Sequence, residues 1–147
     1  MTVVRTEVEV DAPQDRVWRV VADPRNLRRW DRHVVAVRGV PEGGLQVGTD
    51  YVTDIRFMGI TARIRARVLE LESPRYARLR LSGPIEAIVE TSLQPVGDRR
   101  TRLAQLVDYR FIGGPLGAFA ASAVRSLGAQ AMLRRGVLAQ KYQAEAG

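Results

Sequence analysis

His33 is the one histidine in 147 residues, and it follows Asp31 by two positions in the run Trp30-Asp31-Arg32-His33. An imidazole titrates near neutral pH and a neighbouring carboxylate can orient it, so the pair is a candidate general base. The same run also fits a solvated turn between a helix and a strand, which is the simpler reading. Tyr109, a hydroxyl between Val107 and Phe111 on one strand face, is a second candidate for proton transfer. Other chemistries fall away. Cysteine is absent, which excludes disulfides, thiolate nucleophiles and cysteine-ligated metals. One histidine with scattered carboxylates makes no metal-ligand set. Gly113-Gly114-Pro115 contains proline and lacks the lysine of a phosphate loop, and no serine sits at a nucleophile elbow. No metal and no cofactor are expected.

A second set of polar residues gains its interest from the elements that carry it. Strand-like segments run Val34–Val40, Thr49–Met58, Ile60–Leu71, Arg75–Ser82, Ile85–Pro95 and Arg102–Phe111, separated by glycine, proline and serine turns. Short connections between neighbours predict an antiparallel meander. Alternation then sorts the faces. Ala62, Ile64, Ala66 and Val68 oppose Arg63, Arg65 and Arg67, while Leu79 and Leu81 oppose Arg78 and Arg80. On the inward side, Tyr51, Thr53, Thr91, Gln105 and Tyr109 fall among Ile55, Phe57, Ile64, Leu79, Leu81, Leu93 and Val107. A few hydrogen-bonding groups in an apolar lining suit a small-molecule pocket. The alternative is a filled core in which these groups satisfy one another.

Two further regions complete the frame. A strand from Val3 to Val10 alternates Val4, Thr6, Val8 and Val10 with charged residues, and two short helices follow. Asp11-Ala12-Pro13 and Asp23-Pro24 mark their starts, with proline expected in the first turn. From Leu116 to Ala144 the spacing predicts one long helix, with Leu116, Ala120, Ala123, Val124, Leu127, Ala131, Leu138 and Tyr142 as its apolar stripe. Phe119 and Ala123 are its expected contributions to the pocket. Gly128 and Gly136 interrupt it without any propensity reason.

The net charge is +7, from 23 basic residues that are all arginine except Lys141. Such an excess can signal nucleic acid. Here the arginines fall on the outward strand face, with Glu86, Glu90 and Asp108 on nearby strands as cross-strand partners, so no nucleic-acid partner is expected. No apolar run approaches the roughly 18 residues of a membrane span, and the first residues lack signal-peptide features. These readings favour the cytoplasm. No oligomeric state is implied.

Four motifs in order carry a family resemblance: Val8-Glu9-Val10-Asp11-Ala12-Pro13-Gln14-Asp15-Arg16-Val17-Trp18; Asp23-Pro24 with Leu27 and Trp30; Gly97-Asp98 with Thr101-Arg102-Leu103; and Gly114-Pro115-Leu116-Gly117. Over nearly the whole chain, the sequence resembles the START-like (SRPBCC) superfamily, and within it the bacterial polyketide cyclase/dehydrase branch. The resemblance implies a single α+β domain over residues 1–147 with the helix-grip fold. In that fold a seven-stranded curved antiparallel sheet wraps a long C-terminal helix, with two short helices after strand 1. It implies an internal cavity for a small hydrophobic molecule, a polyketide-like natural product or a lipid-like metabolite, in bacterial secondary metabolism. It places Trp30 at the cavity mouth, where the residues alone equally suggest an anchor for the helix pair. A cyclase or dehydratase is the alternative function, short of an obvious base. A self-resistance protein that sequesters a toxic natural product is a further one.

Overall fold

The computed structural model describes residues 2–57 and 59–146, with all side chains in those ranges except those of Trp30, Phe57, Ala123, Ser126 and Leu127. Met58, the expected end of one strand, lies outside the described residues. Alternation produces β1 (Thr2–Val10), in which Thr6 and Val10 are buried. Helix α1 (Gln14–Val21) follows, with Pro13 at its N-cap rather than inside its first turn. The Asp23 side chain accepts from the Arg25 amide at 3.0 Å and starts a 3-10 turn over Pro24–Asn26, which runs into the four-residue α2 (Leu27–Trp30).

The chain then crosses to the far edge of the sheet and returns as a meander. Its strands are β2 (Val34–Arg38), β3 (Asp50–Phe57), β4 (Ile60–Glu72), β5 (Tyr76–Ser82), β6 (Ile85–Pro95) and β7 (Thr101–Phe111). The spatial order is β1-β7-β6-β5-β4-β3-β2, antiparallel throughout, with β1 laid on β7 from Thr2↔Tyr109 to Val10↔Thr101. A register shift between Val68 and Glu70 bends β4.

The charged face is mostly paired across strands. Arg67 holds Asp50 through two bonds of 2.7 and 2.9 Å, Asp54 sits between Arg38 and Arg63, and Arg110 grips Glu86. Arg78 lies 3.9 Å from Glu90. Exposed pairs of this kind contribute little stability each. Asp108 departs from expectation: it forms no ion pair among the described residues, and its buried Oδ1 has no hydrogen-bond partner.

The terminal helix is not continuous. It forms α3 (Pro115–Leu127) and α4 (Ala129–Ala146), divided at Gly128, whose φ of +79° is non-helical. The break resets the helical phase. The predicted stripe misses the inward face at Leu138 and Tyr142, and Leu116 at its start is exposed too. Tyr142 is exposed, while Leu133, Val137, Gln140 and Ala144 turn inward at 4-3-4 spacing. Val137 and Ala144 join Val10, Ala12, Val17, Leu93 and Leu103 in the packed core, with Trp18 and Leu133 against it. Thr101, fully buried, donates its hydroxyl to the Ala12 carbonyl at 2.8 Å. It ties β7 to the β1–α1 turn.

Candidate ligand-binding cavity

The sheet's inner face is sealed where α1 and α4 press on β1, β6 and β7. Beside that core, a cavity of about 250 Å3 opens between β3–β6 and the helix pair. Tyr51, Thr53 and Ile55 enter it from β3, Ile64 from β4, Leu79 and Leu81 from β5, Thr91 from β6 and Gln105 from β7. Strict alternation brings these eight together, as the sequence led one to expect. The bulge in β4 returns Leu71 to the inner face as well.

The remaining expected residues are placed elsewhere. Leu93 is in the packed core, where Val10, Val17 and Val137 close over it. Val107 and Tyr109 stand on β7 outside the lining, and Tyr109 instead meets Phe111 edge to face with ring centroids 5.5 Å apart. Phe119 is on α3, which is not part of the wall. The side chains of Trp30, Phe57 and Ala123 lie outside the described residues.

The sequence did not single out the opposite wall. Val21, Ala22, Asp23, Pro24, Leu27 and Asp31 close the helix side, Val34 and Leu45 the far edge, and Gln140 reaches in from α4. Asp23-Pro24 and Leu27 were visible as helix signals, but their facing depends on how the helix pair folds back over a sheet distant in sequence. Gln140 had a usable signal, its place in the Leu133, Val137, Gln140, Ala144 spacing, which the predicted stripe passed over.

The polar groups divide into satisfied and open ones. The Gln105 amide donates to Thr91 Oγ1 and to Gln140 Oε1, both at 3.2 Å, and Gln140 is only 3% exposed. This cluster links sheet to helix across the cavity floor. Tyr51 and Thr53, 6% and 7% exposed, have side-chain oxygens with no hydrogen-bond partner among the described residues. Burial pushes the Tyr51 phenol up to about 12, so near neutral pH it is a hydrogen-bond donor rather than a base. Asp23 is engaged by Arg25 at 2.9 and 3.0 Å, and these hydrogen bonds hold its carboxyl below the usual carboxylate range.

His33 does not face the cavity. Asp31 Oδ1 accepts from the His33 backbone N–H at 2.9 Å rather than from its imidazole, whose Nδ1 lies 3.3 Å from the Arg56 carbonyl oxygen. The sequence pair is therefore a turn device at the start of β2. Among the described residues no cluster of three or more potential metal ligands exists, and no helix is long and apolar enough to cross a membrane.

The family model described as polyketide cyclase/dehydrase and lipid transport matches residues 1–139. Curated protein sequences give no match. Among solved structures, the Zhui aromatase/cyclase from a Streptomyces species is 19% identical, covering 98% of this chain and 93% of that one, with a TM-score of 0.79. A START superfamily protein from Mycobacterium smegmatis is 17% identical over 98% of this chain and 97% of that one, with a TM-score of 0.73. The di-domain ARO/CYC protein BexL, from the BE-7585A biosynthetic pathway, is 25% identical over 99% of this chain, with a TM-score of 0.69. This chain spans 47% of BexL, about one of its two domains.

Proposed function

We propose that this chain, which belongs to the polyketide cyclase/dehydrase and lipid transport family, holds a small, mostly apolar molecule between β3–β6 and its helices, in a secondary-metabolic setting. The observation that carries this reading is the pair of open hydroxyls. Tyr51 and Thr53 line a mostly apolar cavity with no hydrogen-bond partner among the described residues, so their hydroxyls stay available to a guest. A ligand oxygen supplies what they lack, while Gln105, Thr91 and Gln140 already satisfy one another. Size narrows the class further. At ~30 Å3 per water, 250 Å3 equals roughly eight waters. That suits a one- or two-ring aromatic or a short acyl chain rather than an extended polyketide.

Titration with small phenolic aromatics and short fatty acids, followed by NMR and thermal unfolding, tests the reading. Saturable shifts at residues such as Leu79 and Thr91 are expected, with stabilisation of about 2.7 kcal/mol at a hundredfold excess over Kd. Tyr51→Phe should weaken ligands that carry an acceptor oxygen and spare purely apolar ones. If no such compound binds saturably, the reading is wrong.

Catalysis by cyclisation or dehydration is the second reading, supported by the family and by the aromatase/cyclase names of two structural neighbours. The cavity favours it less. Its carboxylates are engaged by Arg25 and by the His33 amide, and Tyr51 is a donor. Rate enhancement would have to come chiefly from confining a reactive chain. Turnover should then fall with Tyr51→Phe and survive both His33→Ala and Tyr109→Phe, neither of which touches the cavity. No feature of the lining favours a self-resistance role.

A further inference from the structure

Asp31 lines a second hollow as well as the cavity. This groove, about 620 Å3, lies between the α2 end and α4, and its other charged walls are Arg28, Arg29, Arg32 and Arg135, with His33 and Met132 between them. None of the four guanidiniums has a hydrogen bond or a carboxylate within ion-pair distance among the described residues. On the sheet, Arg38, Arg63, Arg67, Arg78 and Arg110 each hold an aspartate or glutamate, although Arg65 and Arg80 there have no ion-pair partner among the described residues. Among the described residues, Asp31 is the one carboxylate lining the groove, and one of its oxygens is already taken by the His33 amide. Four arginines gathered around a single carboxylate repel one another and leave many donors unfilled. Guanidinium geometry matches carboxylate and phosphate oxygens, often through two parallel bonds.

We infer that the molecule held in the cavity is an amphiphile whose anionic end, a carboxylate or phosphate, sits on Arg28, Arg29, Arg32 and Arg135, while its apolar body passes Asp31 into the space beneath Tyr51. This rests on the cavity being a ligand site and adds the ligand's charge and orientation. The apolar part stays short, as the cavity volume requires, and the head stays hydrated in the wider groove.

The test uses 1-octanol, octanoate and octyl phosphate below their micelle concentrations, together with inorganic phosphate and phosphatidylglycerol vesicles. Titration calorimetry is run on the unmodified chain and on the double variant Arg32→Gln/Arg135→Gln. Arg32 and Arg135 are exposed, so the variant should keep its fold, checked by circular dichroism. The two anionic probes should bind about tenfold or more tighter than octanol. The variant should lose that advantage and bind octanol unchanged, and added salt should narrow the gap. Equal affinity for all three alkyl probes overturns the inference and leaves the cavity reading intact. Absence of saturable binding by any alkyl probe overturns both. Inorganic phosphate binding as tightly as octyl phosphate overturns the amphiphile in favour of a bare anion site. Binding to vesicles without binding to the monomeric probes overturns it in favour of membrane docking.

Discussion

Leu103 and Leu79 stand on the same face of one sheet, two strands apart, yet Leu103 is completely buried and Leu79 borders open space. On the β1–β7–β6 side, α1 and α4 lay Val17, Val137 and Ala144 directly on the strands. Over β3–β5 the covering helix is α2, only four residues long, and it reaches the sheet's neighbourhood with Leu27. The hollow therefore follows from where helical mass is deployed, not from poor residues in the strands, since leucine and valine line both regions. One half of the molecule secures the fold and the other is left able to accept a guest.

Substitutions should separate the two halves. Leu103→Ala is expected to cost about 2–5 kcal/mol by leaving a void that packed neighbours cannot fill. Leu79→Ala should cost less than about 1.5 kcal/mol, because its side chain already borders a void. Urea unfolding of both variants measures the difference, and equal losses would mean that the two regions are packed alike. The hollow half should also carry an alkaline weakness. With its folded pKa raised from 10 to about 12, Tyr51 keeps its proton in the folded state while the unfolded chain loses it. Its contribution is therefore full below pH 10 and lost as pH rises toward 12, about 2–3 kcal/mol in all. Tyr51→Phe should flatten much of that decline when unfolding is compared at pH 9 and 11. Some slope should remain from Tyr76, also pushed up to about 12 by desolvation and Glu90.

Smaller effects sharpen the boundary between the halves. Thr101→Val should cost about 1–3 kcal/mol by stranding the Ala12 carbonyl in the solid half, read as a lower urea midpoint with an unchanged m-value. Gly128→Ala should cost about 1–2 kcal/mol, since a Cβ is strained at that positive φ. Hydrogen exchange should show the loss concentrated at the α3–α4 junction, and uniform loss across the sheet would mean that the two helices unfold with it.

Sequence reasoning reached the strands because a two-residue period is local. Thr53, Ile64, Leu81 and Gln105 could be assigned to one face from their immediate neighbours. It also reached the architecture, through motif order. The helical wall was less accessible, because Val21, Leu27 and Asp31 owe their positions to a fold-back against strands far along the chain. His33 and Asp31 could be weighed as a proton-transfer pair because spacing records proximity but not which atom faces which; the turn, the simpler reading, is what forms. In the terminal helix the predicted stripe named Leu116 and Tyr142, both of which are exposed, and passed over Gln140, because facing there depends on a break at Gly128 and on packing against β1 that the spacing alone does not record.

That interruption at Gly128 bears on how such a chain can diverge. In an unbroken helix, deleting one residue turns everything downstream by about 100°, which would pull Val137 off the core and Gln140 away from Gln105 together. With the backbone already out of helical geometry at position 128, the facing of α4 is set by its own contacts with β1 and α1. Length changes confined to α3 are absorbed at the break, so the segment before it can drift through insertion and deletion while the segment after it keeps its alignment.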